Sequence, residues 1–179
     1  MIKNTTNIIA LKSRTWIINA LLELLNEKKF EELTVNDIIK RADLTRQTFY
    51  RHFKSKEDVL AQHINKLYDT LFDRITKLEN KTYYEVLAAY FVYWKENQDF
   101  LNLLKKCEFK YDPMDCYYSC IKKCLDTVSS SILVDHDHIY VQAFISGGLI
   151  NIKNTWISNN CKESPEKLAE MIIKLLDLK

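Results

Sequence analysis

Glycine and proline are almost missing from this chain, with two of each in 179 residues. That scarcity disfavours disorder, collagen-like repeats and most turn-rich β folds. The glycines, Gly147 and Gly148, are adjacent, so a Gly-rich phosphate or cofactor loop cannot be assembled. No G-x-S-x-G, H-E-x-x-H or C-x-x-C occurs, which removes familiar marks of hydrolases, zinc proteases and thiol oxidoreductases. The expectation is no enzyme, no cofactor and no metal, with a helical hydrolase or a scaffold as the readings left over. No run of roughly 18 apolar residues is present, so no membrane span is expected. The opening MIKNTTNIIA is too polar for a secretory signal. Five cysteines, an odd number, then read as reduced thiols in a cytoplasm and not as a disulfide framework.

What is present is ordinary for a globular protein: 47% apolar and 28% charged residues, in a length that suits one or two domains. Charge is unevenly spread. Residues 1–56 hold 11 Lys/Arg against 6 Asp/Glu, a balance of +5, and residues 57–179 hold 15 against 18, a balance of −3. A basic N-terminal third on a near-neutral remainder points to a polyanionic partner, the alternative being solvated surface.

Apolar spacing is helical almost throughout. Over 8–28, Ile9, Trp16, Ile17, Ala20, Leu21, Leu24 and Leu25 recur as one helix face requires. Thr34 with Asp37 forms a capping box and opens a short helix that Asp43 ends. A second short helix begins near Thr45 and buries Phe49 and Phe53. Ser55 with Asp58 opens a longer one, through Leu60, Ile64, Leu67, Leu71 and Ile75. Thr82 with Glu85 opens another, to about Glu96, and a shorter helix covers 99–107. Asp112-Pro113 starts a helix to about Ser130, Asp135 or Asp137 caps a long one over roughly 137–159, and Ser164-Pro165 starts the last. Nine helices and no strand are expected, an all-α fold.

Residues 34–56, TVNDIIKRADLTRQTFYRHFKSK, place two short helices around Asp43-Leu44. That is the helix–turn–helix plan, in which the first helix packs across the second and the second enters a major groove. Gln47, Tyr50 and Arg51 lie opposite the Phe49/Phe53 face, with Thr45 and Arg46 at the N-terminal end. Arg and Gln read base edges; Thr and Tyr donate to phosphates. Lys56, in the first turn after Ser55, is within reach of a phosphate beside the helix's own free N–H groups.

Residues about 8–60 resemble the DNA-binding domain of TetR/AcrR-type transcriptional regulators. The likeness rests on Ile17, Ala20 and Leu24, then Phe30, Leu33-Thr34-Val35, Asp37-Ile38, Ala42, Leu44-Thr45, Thr48-Phe49-Tyr50, His52-Phe53 and Lys56-Glu57. By that resemblance, Thr34, Thr45, Arg46, Gln47, Thr48, Tyr50, His52 and Lys56 fall on positions that often touch DNA. Two departures stand out: Lys29 and Asp43 occupy positions where the family usually has glycine. Asp tolerates the left-handed conformation better than most residues, so the turn at Asp43 is expected to survive with mild strain. The string Arg46-Gln47-Thr48-Phe49-Tyr50 is also similar to a subgroup that includes activators of dihydroxyacetone kinase genes.

The resemblance implies a DNA-binding domain over 1–55 and an all-helical ligand-binding and dimerisation domain over 56–179. It further implies a homodimeric, sequence-specific repressor of a palindromic operator, released by a small-molecule effector. An activator, an effector-independent regulator and a thiol- or metal-responsive repressor are the alternatives. The residues permit this. Segment 83–118 holds 11 of the 21 aromatics. Tyr90, Tyr93, Trp94, Phe109 and Tyr117 are candidate pocket residues, since Tyr and Trp combine apolar area with a polar tip. A plain aromatic core is the competing reading. Gly147 and Gly148 interrupt a helical pattern at a cost of roughly 1 kcal/mol each. The compensation expected is close approach of a second subunit, with Ile152, Trp156 and Ile172 completing the dimer face, or of another part of the same chain. Cys116, Cys120 and Cys124 recur every four residues and read as small buried hydrophobes, or as a thiol sensor with Cys107 and Cys161. His136 and His138 read as part of a solvated cap, or as help for a metal.

Overall fold

The computed structural model describes the backbone of residues 2–106, 117 and 138–176, and side chains from Lys12 onward within those limits apart from 106, 138, 139 and 142. Eight α-helices and no strand occur among the described residues. They are α1 (Ile2–Leu24), α2 (Val35–Arg41), α3 (Arg46–His52), α4 (Lys56–Thr76), α5 (Tyr83–Glu96), α6 (Gln98–Lys106), α7 (His138–Ser158) and α8 (Pro165–Leu176). A 3-10 turn over Phe30–Glu32 lies between α1 and α2. The helix expected from Asp112-Pro113 lies outside the described residues except at Tyr117, which is helical. Cys107, Cys116, Cys120, Cys124, Phe109, His136 and the side chain of His138 also lie outside them.

Local chemistry sets the helix starts. At α2 the Thr34 hydroxyl accepts from the Asp37 N–H at 3.2 Å, and the Thr34 N–H donates to the Asp37 carboxylate at 2.9 Å. Donation from the Thr34 hydroxyl and then its backbone N–H holds the Asp37 carboxyl below its usual range. Thr82 and Glu85 form the same reciprocal box at α5. At α4 the Ser55 hydroxyl accepts from the Asp58 N–H, but Asp58 reaches back to the Lys54 N–H, one residue before the expected partner. The Ser164 hydroxyl accepts from the Lys167 N–H at the start of α8.

Asp43 has φ 52, the left-handed conformation that glycine adopts at no steric cost. Lys29, by contrast, is extended at φ −66, so a side chain there meets no such strain. Helix α1 stops at Leu24, because Asn26 and Glu27 bond three residues back and tighten its last turn.

The chain divides into two units. The first holds residues up to Ile64 and takes in Leu103; the second holds Asn65–Asn102 and the described residues from Tyr117 on. In the first, α1, α2 and α3 pack on one another around buried Ile17, Leu21, Leu24, Phe30, Ile38, Phe49 and Phe53. Trp16 departs from expectation, with half its surface exposed. It sits on the shoulder of the face that Ile17, Ala20, Leu21 and Leu24 bury. In the second unit, α5 packs on α7 and α8. Leu87, Phe91 and Trp94 of α5, Leu149 and Trp156 of α7, and Leu168, Ala169 and Ile172 of α8 are buried there.

Candidate functional site

Helix α3 is fixed from beneath. Phe49 and Phe53, one turn apart, are buried with ring centroids 6.0 Å apart. Burying each such ring stabilises the unit by about 2–3 kcal/mol. The Arg14 guanidinium lies over Phe53 and also donates to Gln62 Oε1 at 2.8 Å. His52 Nε2 meets the buried Ser13 hydroxyl at 2.8 Å, which ties the end of α3 to α1. Burial, then the charges of Arg51 and Arg14, pushes the His52 pKa down, so the neutral ring is favoured. Thr45 caps the helix by accepting from the Thr48 N–H.

The opposite face is open. Thr45, Arg46, Gln47, Tyr50 and Arg51 are exposed together, and Lys54 follows them. The Arg46 guanidinium lies 5.6 Å from the Tyr50 ring centroid, and Tyr50 stands edge-on to Phe49. The core thus braces Tyr50, and Tyr50 braces Arg46. Neighbouring Asn36, exposed in the first turn of α2, lies 3.5 Å from Arg46 through Oδ1. The helix–turn–helix pattern did not single out Asn36; its place two residues after the Thr34 cap was the available signal. Arg41 is differently placed, since Glu23 and Glu27 both accept from it.

Lys56 is not presented like Arg51. Its ammonium donates to the carbonyl oxygens of Phe30 at 2.6 Å, Leu33 at 2.7 Å and Glu31 at 3.2 Å, and lies over the Phe30 ring. All three hydrogens of an ammonium are accounted for by these acceptors. Lys56 therefore ties the start of α4 to the turn that leads into the Thr34 cap. His52 and Thr34 are likewise engaged within the unit.

The second unit gathers aromatic rings from several helices. Tyr68 of α4 stands edge-on to Trp94 and to Tyr117, at 5.2 and 5.6 Å. The Tyr90 and Tyr117 hydroxyls are 3.4 Å apart. Tyr90, Trp94 and Tyr117 therefore come together. Tyr93 is also buried, but its hydroxyl donates to the Leu67 carbonyl and its ring carries the Arg74 guanidinium. It ties α5 to α4. Lys153 of α7 enters the same cluster, with its ammonium 4.4 Å from the Trp94 ring centroid. Sequence reasoning missed Lys153 and Tyr68. Lys153 falls four residues after Leu149 and three before Trp156, so helical period alone puts it on the buried face.

The proposed dimer residues divide. Trp156 and Ile172 turn inward: Trp156 stacks edge-on to Phe91 and donates to the Glu163 carbonyl, and both are buried. Ile152 is half-buried. Gly148 is exposed, and a side chain added at Gly147 or Gly148 would meet nothing within 4 Å among the described residues. A close approach from elsewhere in the described chain is thus not what these glycines serve. The outward apolar side chains are Tyr140 and Phe144 of α7 and Met171 and Leu175 of α8, between 52% and 76% exposed. Cys161, the described cysteine, is buried and its thiol meets Gln98 Oε1 at 3.2 Å. No described helix is long and apolar enough to cross a membrane.

Two family models match the chain. Residues 17–62 match that of bacterial regulatory proteins of the tetR family, and 81–178 match that of a transcriptional regulator C-terminal region. A stretch of 96 residues is 29% identical to the HTH-type transcriptional regulator YuxN of Bacillus subtilis (strain 168), covering 50% of this chain and 33% of that protein. A stretch of 74 residues is 31% identical to IcaR, the HTH-type negative transcriptional regulator of the biofilm operon icaADBC in Staphylococcus aureus (strain Newman), covering 41% of this chain and 40% of IcaR. The matched stretches thus span less than half the length of these relatives. Among solved structures, a TetR transcriptional regulator from Streptococcus agalactiae 2603V superposes with a TM-score of 0.70 at 24% identity, over 97% of this chain and 98% of that one. The dihydroxyacetone kinase operon activator DhaS superposes at 0.61 with 21% identity, over 92% and 93%. At such identities the likeness concerns the fold.

Proposed function

The chain belongs to the TetR family of bacterial regulatory proteins, and on that premise we propose that it is a homodimeric repressor, released from a palindromic operator by a small-molecule effector. The observation that carries this reading is the open face of α3. Arg46, Gln47, Tyr50 and Arg51 stand exposed on a helix whose other face is anchored by Phe49 and Phe53. Folding does not require so dense a set of donors outside, whereas a major groove does. Arg46 suits paired donation to a guanine, and Gln47 suits the paired edge of an adenine. Thr45, Tyr50, Arg51 and Lys54 suit phosphates, which fix register. Thr34, Thr48, His52 and Lys56 serve the same interface by holding its helices in place.

Repression is favoured over activation by the likeness to IcaR, a negative regulator. The second subunit would meet the outward face of Tyr140, Phe144, Gly148, Met171 and Leu175, a set of exposed apolar side chains on two helices. The effector would enter among Tyr90, Trp94 and Tyr117. We read the protein as a cytoplasmic regulator with no catalytic role.

Selection of bound duplexes from a random pool, using the full-length protein, tests the reading. The expected product is a palindrome whose half-sites lie about one helical turn apart, roughly 34–36 Å, or a multiple of it. Arg46→Ala and Gln47→Ala should relax base preference at discrete positions. Failure to enrich any sequence would overturn the assignment.

A further inference from the structure

Lys153 is 4% exposed, yet no hydrogen bond or ion pair reaches its ammonium among the described residues. What surrounds it is aromatic: the Trp94 ring centroid at 4.4 Å, that of Tyr117 at 5.9 Å and that of Tyr68 at 6.0 Å. Ring faces attract a cation, but they return only part of the solvation a buried ammonium gives up. Burial alone lowers its pKa from 10.5 to about 8, with no neighbouring charge contributing. The group is still mostly a cation at neutral pH.

Two more buried polar atoms lack partners, Trp94 Nε1 and Ser146 Oγ. Ser146 lies two helical turns before Lys153 on the same face of α7. Each of the three groups can donate a hydrogen bond, and none of them is matched by an acceptor. Of the three, the Lys153 ammonium and Trp94 Nε1 belong together, since the ammonium lies over that indole, and two unmatched donors side by side are the complement of an anion. Natural interiors rarely keep such a surplus without a use, because a buried cation without a counter-charge destabilises the fold that holds it.

We propose that Lys153, together with the neighbouring Trp94 Nε1, receives the carboxylate of a small apolar monoanion whose body lies against Tyr68, Tyr90 and Tyr117. The proposal rests on the reading of this unit as the effector-binding one, and names the chemical class of the effector. One lysine balances one negative charge; a phosphate dianion would leave charge unmatched among the rings. The two carboxylate oxygens offer acceptors enough for both donors.

Benzoate and octanoate, compared with benzamide and octanamide, test this on the full-length protein. Binding is read by quenching of tryptophan fluorescence and by the shift in Tm. At least one acid should bind and raise Tm, and its amide should bind at least about tenfold more weakly, a loss typical of a missing charge partner. Lys153→Met should erase that preference while melting higher than the parent in the absence of any probe. Should Lys153→Met not fold, Lys153→Gln serves in its place, and the acid–amide comparison needs no variant. Equal binding of acids and amides would overturn the carboxylate site and leave the effector reading standing. A preference that survives Lys153→Met would also overturn it. Binding of none of the four probes would remove this proposal and count against the effector reading as well.

Discussion

Each unit of this protein sets a lysine over an aromatic ring, and the two lysines could hardly be more different in their surroundings. Lys56 lies 4.6 Å from the Phe30 ring centroid and gives its hydrogens to three carbonyl oxygens. Lys153 lies 4.4 Å from that of Trp94 and has no acceptor among the described residues. The first is a cross-link within a unit whose outer face does the work. The second is a charge stored inside the unit proposed to bind the effector. Where a protein reads a partner on its surface, the buried polar groups can all be spent on rigidity. Where it reads a ligand within, some must be left open.

The loss of stability expected from breaking this contrast is at Lys56. Lys56→Met strips three carbonyls of a charged donor and should destabilise the first unit by about 2–3 kcal/mol, read by denaturant unfolding. Lys153→Met should act with the opposite sign. Replacing a buried, unmatched ammonium with a side chain of similar length should stabilise the protein by about 1–4 kcal/mol. The same contrast has a pH signature. The folded value of Lys153, about 8, lies below the ordinary 10.5, so between these values the unfolded chain keeps a proton the folded one has lost. Stability contributed by this group therefore rises with pH across that window, and the rise should vanish in Lys153→Met.

In the first unit the titration runs through His52. Its depressed pKa means that stability is fully held above the ordinary value of 6.5 and is lost as pH falls below it. His52→Asn should flatten that part of the unfolding profile. The smallest effect is at the turn. Asp43→Gly frees a left-handed residue of its side chain and should stabilise the first unit by about 0.5–1 kcal/mol, less what glycine costs the folded chain in entropy.

Much of the architecture was legible in the sequence because it is written in short-range chemistry. Thr34 with Asp37 and Thr82 with Glu85 announced their helices, and both boxes are formed. Phe49 and Phe53, spaced by four, named the inward face of α3 and so its outward one. Periodicity puts Trp16 on the buried face because it flanks a run of apolar neighbours, yet it is exposed, since periodicity resolves a helix face only to within a residue. The spacing of Trp156 and Ile172 suits a dimer face, yet both are core, since spacing marks which residues share a face but not whether that face meets its own chain or another. The pattern points Lys56 at a phosphate; in the structure its three acceptors are backbone atoms more than twenty residues away in sequence. Lys153 passed unnoticed because a single charge in an apolar helix looks like surface until its neighbours are known.

Operator affinity measured across a salt series tests the central claim most directly. A duplex selected by the protein would be titrated with the parent, with Arg51→Ala and with Lys56→Met, each confirmed as folded. The outward face of α3 as the reading surface predicts a steep linear fall of log affinity with log salt, and a slope smaller by about one in Arg51→Ala. Lys56→Met should keep the parent slope, its ammonium being committed to the chain itself. An affinity indifferent to salt, or a slope reduced in Lys56→Met and unchanged in Arg51→Ala, would contradict the account.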